Sequence, residues 1–198
     1  MKIILISCPN STDREVDFIN RMFEEDLDTF HIRKPDYNKS QLVEYIEGIN
    51  PVFHSRIKIN SFFELLRQYR LGGIHIPVAM TEKRNIIDLK KKDISISSSF
   101  HSYEEVKMKS KYIDYAFLSP VFDSISKKNY KSKFDYNELC KVLELANTSI
   151  FALGGCKPEN LYKVKELGFS GAAVLGAVWN SINPFKSFIK IKKAAEKL

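Results

Sequence analysis

Cysteine is scarce in this chain of 198 residues, and its three copies, Cys8, Cys140 and Cys156, form no C-x-x-C pair and keep no metal-like spacing to the histidines. A disulfide framework is therefore not expected, nor is a cysteine-based metal site. Long apolar runs are missing as well, since no stretch approaches the ~20 residues of a membrane span. The opening Met1-Lys2-Ile3-Ile4-Leu5-Ile6-Ser7 carries one charge and an apolar run too short for a signal peptide. A soluble, cytoplasmic protein follows as the expectation. No Ser/Gly-rich linker or break in composition divides the chain, so residues 1–198 read as one domain. Lysine and arginine outnumber aspartate and glutamate by 31 to 24, for a net charge of +7. That balance by itself permits nucleic acid, an anionic membrane or a phosphorylated metabolite as partner. The local clusters at Lys90-Lys91-Lys92 and Lys190-Ile191-Lys192-Lys193 have no interleaved aromatics, which suits solvated helix faces better than a polyanion patch. A small phosphorylated ligand is the partner left in view, with neither nucleic acid nor membrane.

What is present is ample material for a core: 44% of the residues are hydrophobic and 12% aromatic, and a domain of this size hides roughly 70% of its unfolded surface. Short β-rich runs alternate with amphipathic stretches along the whole chain, the pattern of repeated βα units on a parallel sheet. Eight strands are expected, at Lys2 to Ser7, Thr29 to Arg33, Arg56 to Ile59, Gly73 to His75, Ile94 to Ser97, Tyr115 to Leu118, Ile150 to Leu153 and Gly171 to Val174. Between them, Val16, Ile19, Met22 and Phe23, then Leu42, Val43, Tyr45 and Ile46, keep helical spacing. Ser102-Tyr103-Glu104-Glu105 has capping-box spacing, and Lys157-Pro158-Glu159-Asn160 puts proline where a first helical turn tolerates it. The fold class is α/β, a single (β/α)8 TIM barrel, with a doubly wound open sheet as the runner-up.

A parallel barrel builds its site at the C-terminal ends of its strands, which singles out four segments. Phe151-Ala152-Leu153-Gly154-Gly155-Cys156 precedes a helix, so its paired glycines either make a tight turn or let backbone approach a phosphate. One unit later, Gly171-Ala172-Ala173-Val174-Leu175-Gly176 repeats the small residues, the arrangement of the common barrel phosphate site after strands seven and eight. Ser124, Ser126 and Lys127 offer two hydroxyls and an ammonium to one anion, or belong to an ordinary solvated loop. Strand alternation puts His31 and Arg33 on one side, and an inward Arg33 calls for an internal carboxylate or an anionic ligand.

Taken in order, Phe30-His31-Ile32-Arg33, Lys58-Ile59-Asn60, Gly73-Ile74-His75-Ile76, Ser99-Phe100-His101-Ser102, Ser119-Pro120-Val121-Phe122, Ala152-Leu153-Gly154-Gly155 and Gly171-Ala172-Ala173-Val174 resemble the thiamin phosphate synthase and TenI family over nearly the whole chain. The resemblance implies a (β/α)8 barrel in thiamine metabolism. Family synthases join an aminopyrimidine diphosphate to a thiazole phosphate with Mg2+, and TenI-branch tautomerases move a proton to aromatise the thiazole phosphate. By the same resemblance, Gly154, Gly155, Leu175 and Gly176 would hold the phosphate, and Arg33, Asn60, Ser99, Ser124, Ser126 and Lys127 would meet the rest of the ligand. The departures bear on chemistry. The two metal aspartates of the synthases are Ser61 and Met80 here, and the strand-two motif Gln-x-Arg-Glu-Lys reads His31-Ile32-Arg33-Lys34-Pro35, without its last lysine. The TenI histidine of the Gly-His-Val-Phe context is Pro120. No cofactor is expected, and Mg2+ only for a synthase. His31, His75 and His101 are the candidate proton-transfer groups, while His54 precedes a strand at the opposite end. Three readings stand: a TenI-like, tautomerase-type isomerase; a synthase with a rebuilt metal site, using Asp123; and a non-catalytic phosphate-ligand protein. A homodimer is open in all three.

Overall fold

In the computed structural model, every residue is described except 11, 13, 81–87, 89–93, 108–111, 124–131 and 133. Eight parallel strands close on themselves in chain order, β1 pairing with both β2 and β8. That closure decides against the open doubly wound sheet. The strands are β1 (Lys2–Ile6), β2 (Thr29–Ile32), β3 (Ile57–Ile59), β4 (Gly73–Pro77), β5 (Ser95–Phe100), β6 (Tyr115–Leu118), β7 (Ser149–Leu153) and β8 (Gly171–Val174). Each lies where the alternation of apolar runs puts it. β5 departs most: it continues through Ser98, Ser99 and Phe100, which pair with Ile76, Pro77, Phe117 and Leu118 of its neighbours. Serines have little strand propensity of their own, and the ladders on both sides supply what propensity does not.

The helices follow the same logic. In α1 (Glu15–Glu24), Ile19, Met22 and Phe23 are buried, and α2 (Lys39–Glu47) buries Leu42, Tyr45 and Ile46 behind an Asn38–Gln41 capping box. The helix Tyr103–Lys107 starts at Ser102, whose hydroxyl accepts from the Glu105 amide, but the Glu105 carboxylate reaches the amide of His101 rather than that of Ser102. Pro158 opens a 3-10 turn, Pro158–Asn160, which leads into the helix Leu161–Glu166. Between barrel and helices lies an aliphatic and aromatic shell that includes Leu5, Phe23, Phe30, Ile59, Ile74, Leu118 and Phe188. A smaller cluster of Ile4, Ile6, Phe117, Phe151 and Ala173 fills the barrel itself. Among the described residues, no helix is long and apolar enough to cross a membrane.

Candidate functional site

Side chains of odd number on β2, β4, β5 and β6 enter the lumen, and six of them interlock. His31 Nε2 lies 2.6 Å from the Tyr115 hydroxyl, and the His31 ring packs against Phe117 and His75 at centroid distances of 4.9 and 5.3 Å. His75 is held from both sides, Nδ1 at 2.9 Å from Ser97 Oγ and Nε2 at 2.9 Å from Ser99 Oγ. Ser97 donates its only hydroxyl hydrogen to the Ile74 carbonyl, so it accepts from His75 Nδ1–H. That fixes the tautomer: His75 Nε2 accepts from the Ser99 hydroxyl.

The His31, His75 and Tyr115 side chains of this lumen are uncharged at neutral pH. Burial lowers His31 well below the ordinary imidazole range, with His75 and Lys58 adding to the effect. Burial, then the nearby Arg33 guanidinium, brings His75 down to about 4. Burial also holds the Tyr115 hydroxyl protonated, with its pKa raised well above the phenol range. Lys58 lies below these groups, donating to the Gly72 carbonyl at the N-terminal end at 2.7 Å, and burial brings it to about 8 against the opposing pull of Asp114. It closes the bottom of the barrel rather than serving its mouth. His54 is buried at that end between the carbonyls of Ile49 and Tyr69, a structural role.

At the mouth, Arg33 is exposed rather than buried, so the cost of an unpartnered internal charge does not arise, although its influence on His75 fits the inward side that alternation gives it. Asn60 and Ser99 are half-buried at the ends of β3 and β5. His101 stands on the rim, Nδ1 3.0 Å from the Ser119 carbonyl. The glycine turn after β7 is tied to the loop after β6 by Val121 N–H to Leu153 O and Phe122 N–H to Gly154 O, and to the next helix by Asn160 Nδ2 to Gly155 O. Gly155 has φ +67°, and a Cβ there would stand 2.4 Å from the Asp123 carbonyl and 2.7 Å from Phe122 Cβ. A bulky residue at 155 would therefore disturb the fold itself: the position is glycine because another backbone is already against it. Since Leu153 pairs with Ala173, Gly155 and Leu175 come level beyond their strands. Gly176 then opens the helix Gly176–Trp179, whose first amides have no acceptor within the helix, and Trp179 Nε1 donates to the Ile6 carbonyl at 2.7 Å. Ser124, Ser126, Lys127 and the Lys90-Lys91-Lys92 cluster lie outside the described residues.

Two groups escaped notice in the sequence. Ser97 and Tyr115 complete the lumen network, and the alternation that pairs them with Ser99 and Phe117 is the signal that would have found them. Lys34 points the opposite way from Arg33, into a buried ion pair with Glu15 and a 3.1 Å bond to the Asn10 carbonyl. It does not replace the missing mouth lysine. Glu15 also accepts from the Cys8 amide, so the pair fastens the β1 loop to the end of β2.

A closed barrel of eight parallel strands with interleaved helices belongs to the TIM-barrel class of proteins. The family described as thiamine monophosphate synthase matches residues 3–178, and the chain belongs to that family, which includes the TenI branch. It is similar to the thiamine-phosphate synthase of Latilactobacillus sakei, 23% identical over 150 residues that make up 75% of this chain and 67% of that protein. It is also similar to a thiamine phosphate pyrophosphorylase from Bacteroides thetaiotaomicron, with 30% identity, a TM-score of 0.83, and 99% of this chain and 98% of that one covered. The same enzyme from Pyrococcus furiosus superposes with a TM-score of 0.78 over 99% of this chain and 96% of that one, at 18% identity, which is a likeness of fold.

Proposed function

We propose that this protein binds a phosphorylated thiazole at the mouth of the barrel and shifts a proton on it, as a TenI-like isomerase, without transferring a diphosphate-activated pyrimidine. The observation that carries this reading is the pair Ser61 and Met80. Mg2+ wants about six hard oxygens, usually with one or two carboxylates among them. Met80 is instead a soft thioether packed against the core, and Ser61 a neutral hydroxyl. Among the described residues no three His, Cys, Asp or Glu side chains gather as a metal site. The donors do not fit the ion.

The ligand phosphate would take the backbone amides of Gly154, Gly155, Leu175 and Gly176, which come level at one rim. The ring would then lie over Ser99 and His75, with Arg33 and Asn60 at its far side. Neutral histidines, hydroxyls and a phenol can bind and orient such a ring without giving it charge. The relatives are named as synthases, and this favours a second reading, a synthase with a rebuilt metal site in which Asp123 supplies a carboxylate. An assay with the non-aromatic thiazole phosphate, and with both synthase substrates, each with and without Mg2+, separates the two. Isomerisation without Mg2+ is the expected result. Robust Mg2+-dependent thiamin phosphate formation would overturn it in favour of the synthase. Ser61→Asp combined with Met80→Asp is expected to raise Mg2+-dependent diphosphate release from a low starting rate, and no gain would show that more than these carboxylates is missing.

A further inference from the structure

Of the three histidines on the mouth side, two are already spoken for. His75 has both ring nitrogens in hydrogen bonds, and His31 uses Nε2 on Tyr115 beneath the ring of Phe117. Neither is placed to exchange a proton with a ligand above the barrel without breaking the network that positions it. His101 differs in each respect. It continues the inward series Ser97, Ser99 one step beyond the end of β5, and the ladder runs on there, with the Ser119 amide donating to the Phe100 carbonyl at 3.1 Å. The imidazole is exposed at the rim. Its Nδ1 faces the Ser119 carbonyl at 3.0 Å, which can only accept, so Nδ1 carries the hydrogen and Nε2 keeps a lone pair. Among the described residues Nε2 has no hydrogen-bond partner.

The carbonyl that sets this tautomer is itself fixed. Ser119 is buried, and Pro120 lies against Gly154, where an added Cβ would be 2.9 Å from the Pro120 Cα. The loop carrying the ring's anchor is thus packed on the glycine turn assigned to the phosphate. At the other end the His101 amide is held by the Glu105 carboxylate, the one acidic group bonded to this residue among the described residues. A base with a fixed tautomer, a rigid support and an open nitrogen beside the phosphate turn meets the geometric demands of general catalysis.

We propose that His101 Nε2 is the proton-transferring group of this site, an assignment that rests on the isomerase reading. A non-aromatic thiazole isomer carries a hydrogen on a saturated ring carbon and a double bond outside the ring. Nε2 removes that hydrogen as a proton, and the C–H electron pair becomes a ring double bond. The exocyclic double bond shifts and takes a proton at its outer carbon from the Nε2–H of the imidazolium. The Ser119 carbonyl accepts from Nδ1–H throughout and stabilises the transient cation. No atom is gained or lost, and no oxidant or second substrate is needed.

The test uses the full chain and the non-aromatic thiazole phosphate. His101→Gln is expected to lower kcat by roughly 10²–10⁴-fold with KM little changed. It should also remove the fall in rate on the acid side of the pH profile. His101→Ala is expected to recover activity in part with added imidazole, which a merely structural histidine would not permit. As a check that does not depend on folding of a variant, the Nε2 nitrogen resonance of His101 in the unmodified protein is expected to move on titration with thiazole phosphate. An active wild type beside a His101→Gln variant of equal kcat and unchanged pH profile would overturn the assignment and leave the isomerase reading standing. A wild type that binds thiazole phosphate but does not isomerise it would overturn both.

Discussion

Replacing Gly155 with alanine separates two costs that glycine avoids, and a second glycine provides the reference. At Gly155 the backbone is left-handed, at φ +67°, and the new Cβ would meet the Asp123 carbonyl oxygen at 2.4 Å and Phe122 Cβ at 2.7 Å. The left-handed conformation costs a non-glycine residue about 1–2 kcal/mol. Forcing one packed loop off another adds about 1–3 kcal/mol. At Gly168 φ is +94°, yet the nearest atom to an added Cβ is Leu143 Cβ at 3.8 Å, an ordinary contact. Gly168→Ala therefore carries the conformational term alone. For a domain of this size each kcal/mol lowers Tm by about 2–4 °C. The expected losses are roughly 2–8 °C for Gly168→Ala and roughly 4–20 °C for Gly155→Ala, measured by calorimetry under one set of conditions. Isothermal titration with inorganic phosphate supplies the functional arm, where only Gly155→Ala should weaken binding. If Gly155→Ala melts no lower than Gly168→Ala, the packed contact between the two loops does not exist as described, and the phosphate turn loses its structural basis.

Because burial and Arg33 hold His75 at about 4 when folded, against about 6.5 for a free imidazole, the folded state resists protonation. The stability this contributes is present above about pH 6.5 and is lost as the pH falls toward 4, by up to about 3 kcal/mol. Comparing pH–stability curves of wild type and His75→Gln should show the variant flatter in that window, and parallel curves would refute the point. Tyr115→Phe removes the hydroxyl from a buried His31 nitrogen and is expected to cost about 1–3 kcal/mol in urea unfolding. No loss would mean that the 2.6 Å contact contributes nothing. Lys34→Met should cost about 3–5 kcal/mol by stranding Glu15, and adding Glu15→Leu should restore much of it. A double variant no better than the single one would refute the ion pair as the cause.

The barrel was legible in the amino-acid order because each short apolar run must be buried on both sides, and eight such runs separated by helical spacing leave few architectures. Tyr115 to Leu118 and Gly171 to Val174 coincide with their strands for that reason. The glycine turns, His31 and Arg33 could be singled out because side-chain alternation and strand ends are local properties, whereas Ser99 and His101 were singled out only after the family resemblance. Closure of β1 onto β8 was not local, since it depends on stagger around the whole sheet. Nor could the sequence separate the three histidines: only the folded barrel brings Ser97 and Ser99 to the two nitrogens of His75, Tyr115 across to His31, and the Ser119 carbonyl to His101. Lys34 makes the same point in reverse. Beside Arg33 in sequence, it turns away from the mouth to meet Glu15, because neighbours on a strand face opposite sides and only the fold decides what waits on each.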